Sequence, residues 1–168
     1  MSDLGKIIET LAELPADMVF PHGFAHSHSY RGYYDQLAFE PATNTRAGDM
    51  LAAAQSALGK TYTGYKGGDY EMHSWTECWL AEYGDTGEAL NIDALVTIAR
   101  LREQAEALAT ALEEAGPPVF LQFSASGTYF ECCHCQGAGQ DRETVVHADE
   151  CQWLPAAAAL RAYREGTK

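Results

Sequence analysis

The sequence predicts an α+β fold: an antiparallel sheet with helices packed on one face, plus a small C-terminal zinc-knuckle module. Three observations lead there. Apolar residues recur at helical spacing in three stretches, 3–14, 47–58 and 91–115. Between the last two lie short β-branched and aromatic runs broken by glycine turns, the pattern of hairpins. Near the end, Cys132-x2-Cys135 and His147-x3-Cys151 pair soft ligands at metal-binding spacing. At 168 residues, 46% hydrophobic and 21% charged, the chain is globular. It is long enough for one domain with a proper core and an appendage: a core over 1–118 and a strand plus metal module over 119–168.

Each element has its own warrant. Leu4, Ile7, Ile8, Leu11 and Leu14 form one helical stripe that Pro15 stops. After the apolar Met18-Val19-Phe20 comes a stretch dense in His, Gly, Ser and Tyr, from Pro21 to Glu40, ending in the strand-like Leu37-Ala38-Phe39. Thr45 can cap a second helix, Ala47 to Leu58, with Gly59 just past its end. Thr61 to Tyr65 reads as a strand, Lys66-Gly67-Gly68-Asp69 as a tight turn, and Tyr70 to Met72 as the return. Trp75 to Tyr83 and Glu88 to Leu90 make a second strand pair around Gly84-Asp85-Thr86-Gly87. Asn91 caps the longest helix, which runs to Ala115; its stripe Leu95, Ile98, Leu101, Ala105, Leu108 and Leu112 is expected to pack on the sheet. Gly116-Pro117-Pro118 ends it. Val119 to Phe123 is a buried-type strand leading to Tyr129-Phe130 and the cysteines, and a last helix opens at Pro155 and covers Ala156 to Arg164.

Charge and chemistry narrow the function. The formal charge is −13, with 11 Lys and Arg against 24 acids, which argues against broad nucleic-acid contact and leaves a basic protein partner open. No 18-residue apolar run and no signal peptide stand in the sequence, so a soluble, cytoplasmic protein with no membrane role is expected. Four of the five cysteines crowd the metal-like spacing, which suits a reducing compartment. Cys132, Cys135, His147 and Cys151 would hold one structural Zn2+; four protein ligands close the site and leave no open position for catalysis. Cys133 and His134 crowd the knuckle and leave the ligand choice open.

The ligand-site candidate is His28-Ser29-Tyr30-Arg31-Gly32-Tyr33-Tyr34. A guanidinium fork takes phosphate or carboxylate bidentately, and tyrosines stack on bases or sugars. Tyr65-Lys66-Gly67 adds a second cation and the raw material of an anion nest. The plainer alternative makes the tyrosines packing residues and pairs Arg31 with Asp35 or Glu40. His22, His26 and His28 lack the further ligands of a catalytic metal site and read as an exposed cluster. Cys78, beside Trp79 and Leu80, reads as inert. No nucleophile elbow, P-loop or dinucleotide fingerprint occurs.

His28 to Tyr34, Leu37-Ala38-Phe39-Glu40-Pro41, Gly64-Tyr65-Lys66-Gly67-Gly68 and Ala81-Glu82-Tyr83-Gly84 together resemble a family of small uncharacterised accessory proteins of tailed bacteriophages. The likeness covers roughly residues 1–92 and leaves out the long helix and the cysteines. It implies a phage accessory protein in the cytoplasm of the infected bacterial host, and no activity. Three expectations follow, the first two by analogy with phage proteins of this size. The first is capture of a small phosphorylated, nucleotide-derived ligand to counter host defence. The second is an acidic inhibitor docking on a host protein. The third is a nucleotide-directed hydrolase or transferase with His28 as general base. The long helix could also lend a stripe to a homo-oligomer.

Overall fold

The computed structural model describes residues 1–31, 33–64, 67–115, 119–124, 127–132, 138–139, 151 and 153–166. The chain divides into two compact units, Met1–Glu103 and Gln104–Lys168.

The first unit is α+β. Helix α1 (Leu4–Ala12) is capped by Asp3, whose carboxylate accepts from the Lys6 backbone N–H at 2.8 Å, and it buries Leu4, Ile7 and Leu11. Strands β1 (Val19–Tyr30) and β2 (Tyr33–Arg46) form a long antiparallel hairpin, with a bulge between Phe24 and Ser27. Helix α2 (Ala47–Ala57) follows without a loop. Its N-cap is Arg46, and the expected cap Thr45 still belongs to β2, paired with Phe20. Strands β3 (Thr61–Thr63) and β4 (Asp69–Glu71) make a separate small hairpin. Strands β5 (Cys78–Leu80) and β6 (Glu88–Ala89) then complete the main sheet, whose order is β1-β2-β5-β6.

The sheet is mixed, which corrects the antiparallel expectation. β2 and β5 run parallel, Leu37, Ala38 and Phe39 standing beside Cys78, Trp79 and Leu80. A parallel pair needs a crossover, and α2 with the β3–β4 hairpin supplies it. Residues 21–36 are the other departure: most of a polar, glycine- and histidine-bearing stretch with no assigned structure lies in two long strands. Propensity gave no warning, because these strands are held by their mutual ladder and by α2 above them. Gly23 permits that approach. A Cβ there would stand 2.9 Å from Met50 Sδ and 3.0 Å from Thr45 Cβ.

The core lies between one face of the sheet and α1, α2 and the start of α3 (Ile92–Ala115). Phe24 and Phe39 meet there with ring centroids 4.4 Å apart. Asn91 Oδ1 accepts from the Ala94 N–H at 3.3 Å, as an N-cap does. The expected stripe of this helix is only partly right: Leu95, Val96 and Ala99 are buried, whereas Ile98, Leu101 and Leu108 face solvent. The burying face is rotated toward Leu95–Ala99, where Phe39 and the other core residues cluster.

The second unit contains the rest of α3, the antiparallel set β7 (Val119–Ser124), β8 (Gly127–Cys132) and β9 (Ala138–Gly139), and helix α4 (Trp153–Gly166). Arg164 ties α4 to α3: it pairs with Glu106, and its Nε and Nη2 donate to Glu113 at 2.9 and 2.8 Å. Pro155 sits inside the first turn of α4, where its missing N–H leaves no helical bond unmade. Among the described residues no helix is long and apolar enough to cross a membrane.

Candidate functional site

Side chains alternate along a strand, so the register that sends Leu37, Phe39, Cys78 and Leu80 into the helix-covered core sends their neighbours to the opposite face. Ala38 lies between His28 of β1 and Trp79 of β5, and its small side chain leaves room for rings around it. Tyr30 stacks on Trp79 with centroids 4.5 Å apart and planes 8° apart, and Tyr33 stacks on Tyr30 at 6.2 Å and 19°. Tyr30 is thereby 6% exposed and Tyr33 59%. The second face of the sheet thus carries a three-ring run with its outer member open.

Arg31 stands at the hairpin tip between Tyr30 and Tyr33, its guanidinium 3.9 Å from the Asp85 carboxylate, both groups well exposed. The expected partners of a purely structural arginine, Asp35 and Glu40, are not the ones it meets. An exposed pair at that distance is weak and gives way readily to a better anion.

His28 sits differently from the ligand contact expected of it. It is buried, with Nδ1 3.0 Å from the Ser29 carbonyl and Nε2 3.0 Å from the Ala81 carbonyl. Its ring edge pins the segment after β5, and Tyr83 meets the ring edge-on at 5.4 Å. Neither nitrogen is open to serve as a base. The other expected contacts divide between places. Ser29 pairs with Leu37, whose side chain is in the core, and Tyr34 leans on Tyr70 of β4 at 5.8 Å. Gly67 has a left-handed φ of 85°, and its N–H donates to the Gly64 carbonyl at 2.9 Å, so it closes a turn. Gly32, Tyr65 and Lys66 lie outside the described residues. The structure therefore brings Tyr30, Arg31 and Tyr33 together and sets His28, Ser29, Tyr34 and Gly67 to other tasks.

Residues the sequence reading missed complete the face. Trp79 supplies the base of the stack, and its Nε1 is buried with no acceptor among the described residues; Gln36 Oε1 is likewise buried with no donor among them. Both orphans are polar atoms of a half-buried surface, where an unmade hydrogen bond is costly. Tyr30 Oη is the acceptor for the Gly87 N–H at 3.4 Å, which moors the loop before β6. The only hint in the sequence was aromatic density on both segments; that they are neighbours depends on the parallel pairing. A cleft of about 330 Å³ elsewhere, lined by Thr10, Glu13, Asp93, Thr97 and Arg100, is mixed in charge and has no ring to stack on.

The cysteines behave in two ways. Cys78 is fully buried on the core side, and burial, aided by the Asp3 charge, pushes its thiol up to about 12. That makes it unreactive. Cys132 and Cys151 are both buried, with their sulfurs 3.8 Å apart, too far for a disulfide. Two thiolates about 2.3 Å from one tetrahedral zinc stand about 3.8 Å from each other. Cys135 and His147, like Cys133 and His134, lie outside the described residues. Among the described residues no group of three or more His, Cys, Asp or Glu side chains is placed to hold a metal.

Comparison with protein-family models, with curated proteins and with solved structures finds no match for this chain.

Proposed function

We propose that this protein is a phage accessory protein that captures a small phosphorylated, nucleotide-derived ligand and so counters host defence. The observation that carries the reading is the Tyr33–Tyr30–Trp79 stack with Arg31 at its edge. An exposed tyrosine ring is a platform for a base, worth roughly 1–3 kcal/mol per stacked base. The adjacent guanidinium fits a phosphate, and the weak Asp85 contact is what the phosphate would replace. With both His28 nitrogens held against backbone carbonyls, capture rather than turnover fits the face. The phage setting, and with it the host cytoplasm, rests on the sequence resemblance.

Mass spectrometry of small molecules released on denaturing protein purified from infected cells tests this directly. An intact nucleotide-like compound supports capture, and a chemically altered one points to an enzyme. Arg31→Ala should weaken binding tenfold or more, since one charge-assisted hydrogen bond is worth roughly 1.5–3 kcal/mol. Arg31→Lys should rescue it poorly, because an ammonium lacks the planar fork. No retained small molecule, together with a salt-sensitive complex with a host protein, favours the second reading: an acidic inhibitor. Its support is the −13 charge.

The same chain, we propose, binds one structural Zn2+ through Cys132, Cys135, His147 and Cys151. The 3.8 Å separation of the Cys132 and Cys151 sulfurs supports it. Metal analysis of protein prepared without chelator should find one zinc per chain, and Cys151→Ser should lose it. Absence of zinc from the wild-type protein would sink the idea.

A further inference from the structure

We propose that the cleft between α1 and the start of α3 is a second binding site, one that takes a small apolar amino acid as its zwitterion. Its volume is about 330 Å³, near the lower end of ligand pockets, which run from roughly 300 to 1,000 Å³. Leu14 and Val96 give it an apolar lining: Val96 is buried, and Leu14 is half-buried against the core. Glu13 and Arg100 bring opposite charges to the same cleft. All these residues belong to the first unit.

The polar groups of the cleft divide into satisfied and unsatisfied. Asp93 is paired with Lys6, and as an acid in the first turn of α3 it also lies at the favourable end of that helix dipole. The Thr97 hydroxyl donates to the Asp93 carbonyl at 2.8 Å. Glu13 and Arg100 differ. Neither side chain has a hydrogen bond or ion pair among the described residues, although the two line one cleft. Glu13 is moreover the C-cap of α1, whose last turn holds no basic residue. Its carboxylate therefore adds to the negative end of the helix dipole, and a cation placed there relieves both. Arg100 offers the planar fork that a carboxylate fits.

This pairing fixes the chemistry of the ligand. An amine alone would stand near Arg100, and an acid alone near Glu13 and Asp93, so one wall of the cleft opposes each. A zwitterion is attracted by both walls. Being neutral overall, it is not repelled at long range by a chain of charge −13. An apolar side chain on it gains by leaving water for Leu14 and Val96.

NMR titration of the full chain with L-leucine tests the proposal. The methyl resonances of Leu14 and Val96 should move saturably at millimolar leucine or below. Isocaproate lacks the ammonium and isoamylamine lacks the carboxylate. Each should bind roughly tenfold more weakly or worse, the loss expected from one charge-assisted hydrogen bond. Glu13→Gln and Arg100→Gln alter exposed side chains, so circular dichroism should stay that of the wild type while leucine binding falls by a similar factor. Arg46→Gln removes an exposed arginine outside the cleft and should leave leucine binding unchanged. No movement of these methyls at tens of millimolar leucine overturns the proposal. Isocaproate or isoamylamine binding as tightly as leucine overturns it too, since the cleft would then be a plain anion or cation site. So does leucine binding that survives both glutamine variants.

Discussion

The two faces of the β1-β2-β5 sheet are made by the same strands, one residue out of step, and they end in opposite states. On one face Leu37, Phe39 and Cys78 are fully buried under helices in an apolar cluster, and the Cys78 thiol donates to the Thr76 carbonyl. On the other, Tyr30 and Trp79 bury each other, Tyr33 is left open, and two buried polar atoms, Trp79 Nε1 and Gln36 Oε1, have no partner among the described residues. The first face has satisfied its chemistry within the chain. The second still has an exposed ring and an arginine to offer. A sheet of this kind separates folding from recognition simply by alternation, and substitutions on the two faces should therefore have opposite signatures.

The largest contrast is expected between Phe39→Ala and Tyr33→Ala. Phe39 packs on Phe24 in the middle of the core, so its loss removes transfer energy and leaves a cavity, about 3–5 kcal/mol in all. Tyr33→Ala should change stability by less than about 0.5 kcal/mol while weakening ligand capture. Denaturant melts of both variants read the first quantity. Equal destabilisation would erase the distinction between the faces.

Cys78 extends the contrast to pH. Its folded-state thiol titrates near 12 against an ordinary 9.0. Above pH 9 the unfolded chain releases this proton while the folded chain keeps it, so stability should fall as pH rises through the 9–12 window. The slope approaches about 1.4 kcal/mol per unit from this one group. Below pH 9 both states hold the proton and the term vanishes. Cys78→Val should remove that part of the alkaline loss, and a matched pH series of melts on the two proteins isolates it. Parallel curves for wild type and variant would show that Cys78 opens to solvent before unfolding.

Gly87 joins the open face to the sheet and should give the next largest effect. A Cβ there would fall 1.8 Å from the Leu80 carbonyl oxygen and 2.7 Å from the Ala81 Cβ. The backbone must shift to admit it, at about 1–3 kcal/mol, and the Gly87 N–H would leave the Tyr30 hydroxyl. Gly87→Ala should thus lower stability and loosen Tyr30 together, the second visible as increased ring motion by NMR. Loss of stability with an unchanged Tyr30 would place the strain elsewhere.

What the sequence made legible was local. The stripe Leu4, Ile7, Leu11, the Asn91 cap and the β3–β4 turn all declare themselves within a few residues, because helix period, capping and glycine turns are short-range effects. The β1–β2 hairpin did not, since His, Ser and Gly have little strand preference and are held there by a partner strand and α2. Arg31 and its tyrosines were visible as a cluster. Trp79 was not, because only the parallel β2–β5 register carries it to Tyr30 from a segment almost fifty residues away. The α3 stripe held only in part for a related reason: amphipathic period shows that a helix has an apolar side, not which of its apolar residues meet its own sheet.

The smallest and most diagnostic expectation concerns Asp85. Its carboxylate stands 3.9 Å from the Arg31 guanidinium, and both side chains are mostly in solvent. Such a pair adds almost nothing to folding, so Asp85→Asn should leave thermal stability unchanged. For an incoming phosphate, though, Asp85 is both a competitor for the guanidinium and a like charge beside the stack. Removing it should tighten capture of a phosphorylated ligand by roughly two- to fivefold at low salt. The gain should shrink toward physiological ionic strength, where the Debye length falls to about 8 Å. Titration of wild type and Asp85→Asn at two salt concentrations measures both trends. Tighter binding that fades with salt places the anion at Arg31. Weaker binding would make Asp85 a ligand contact in its own right, and the bound group would then present a hydrogen-bond donor or a cation to this edge of the sheet.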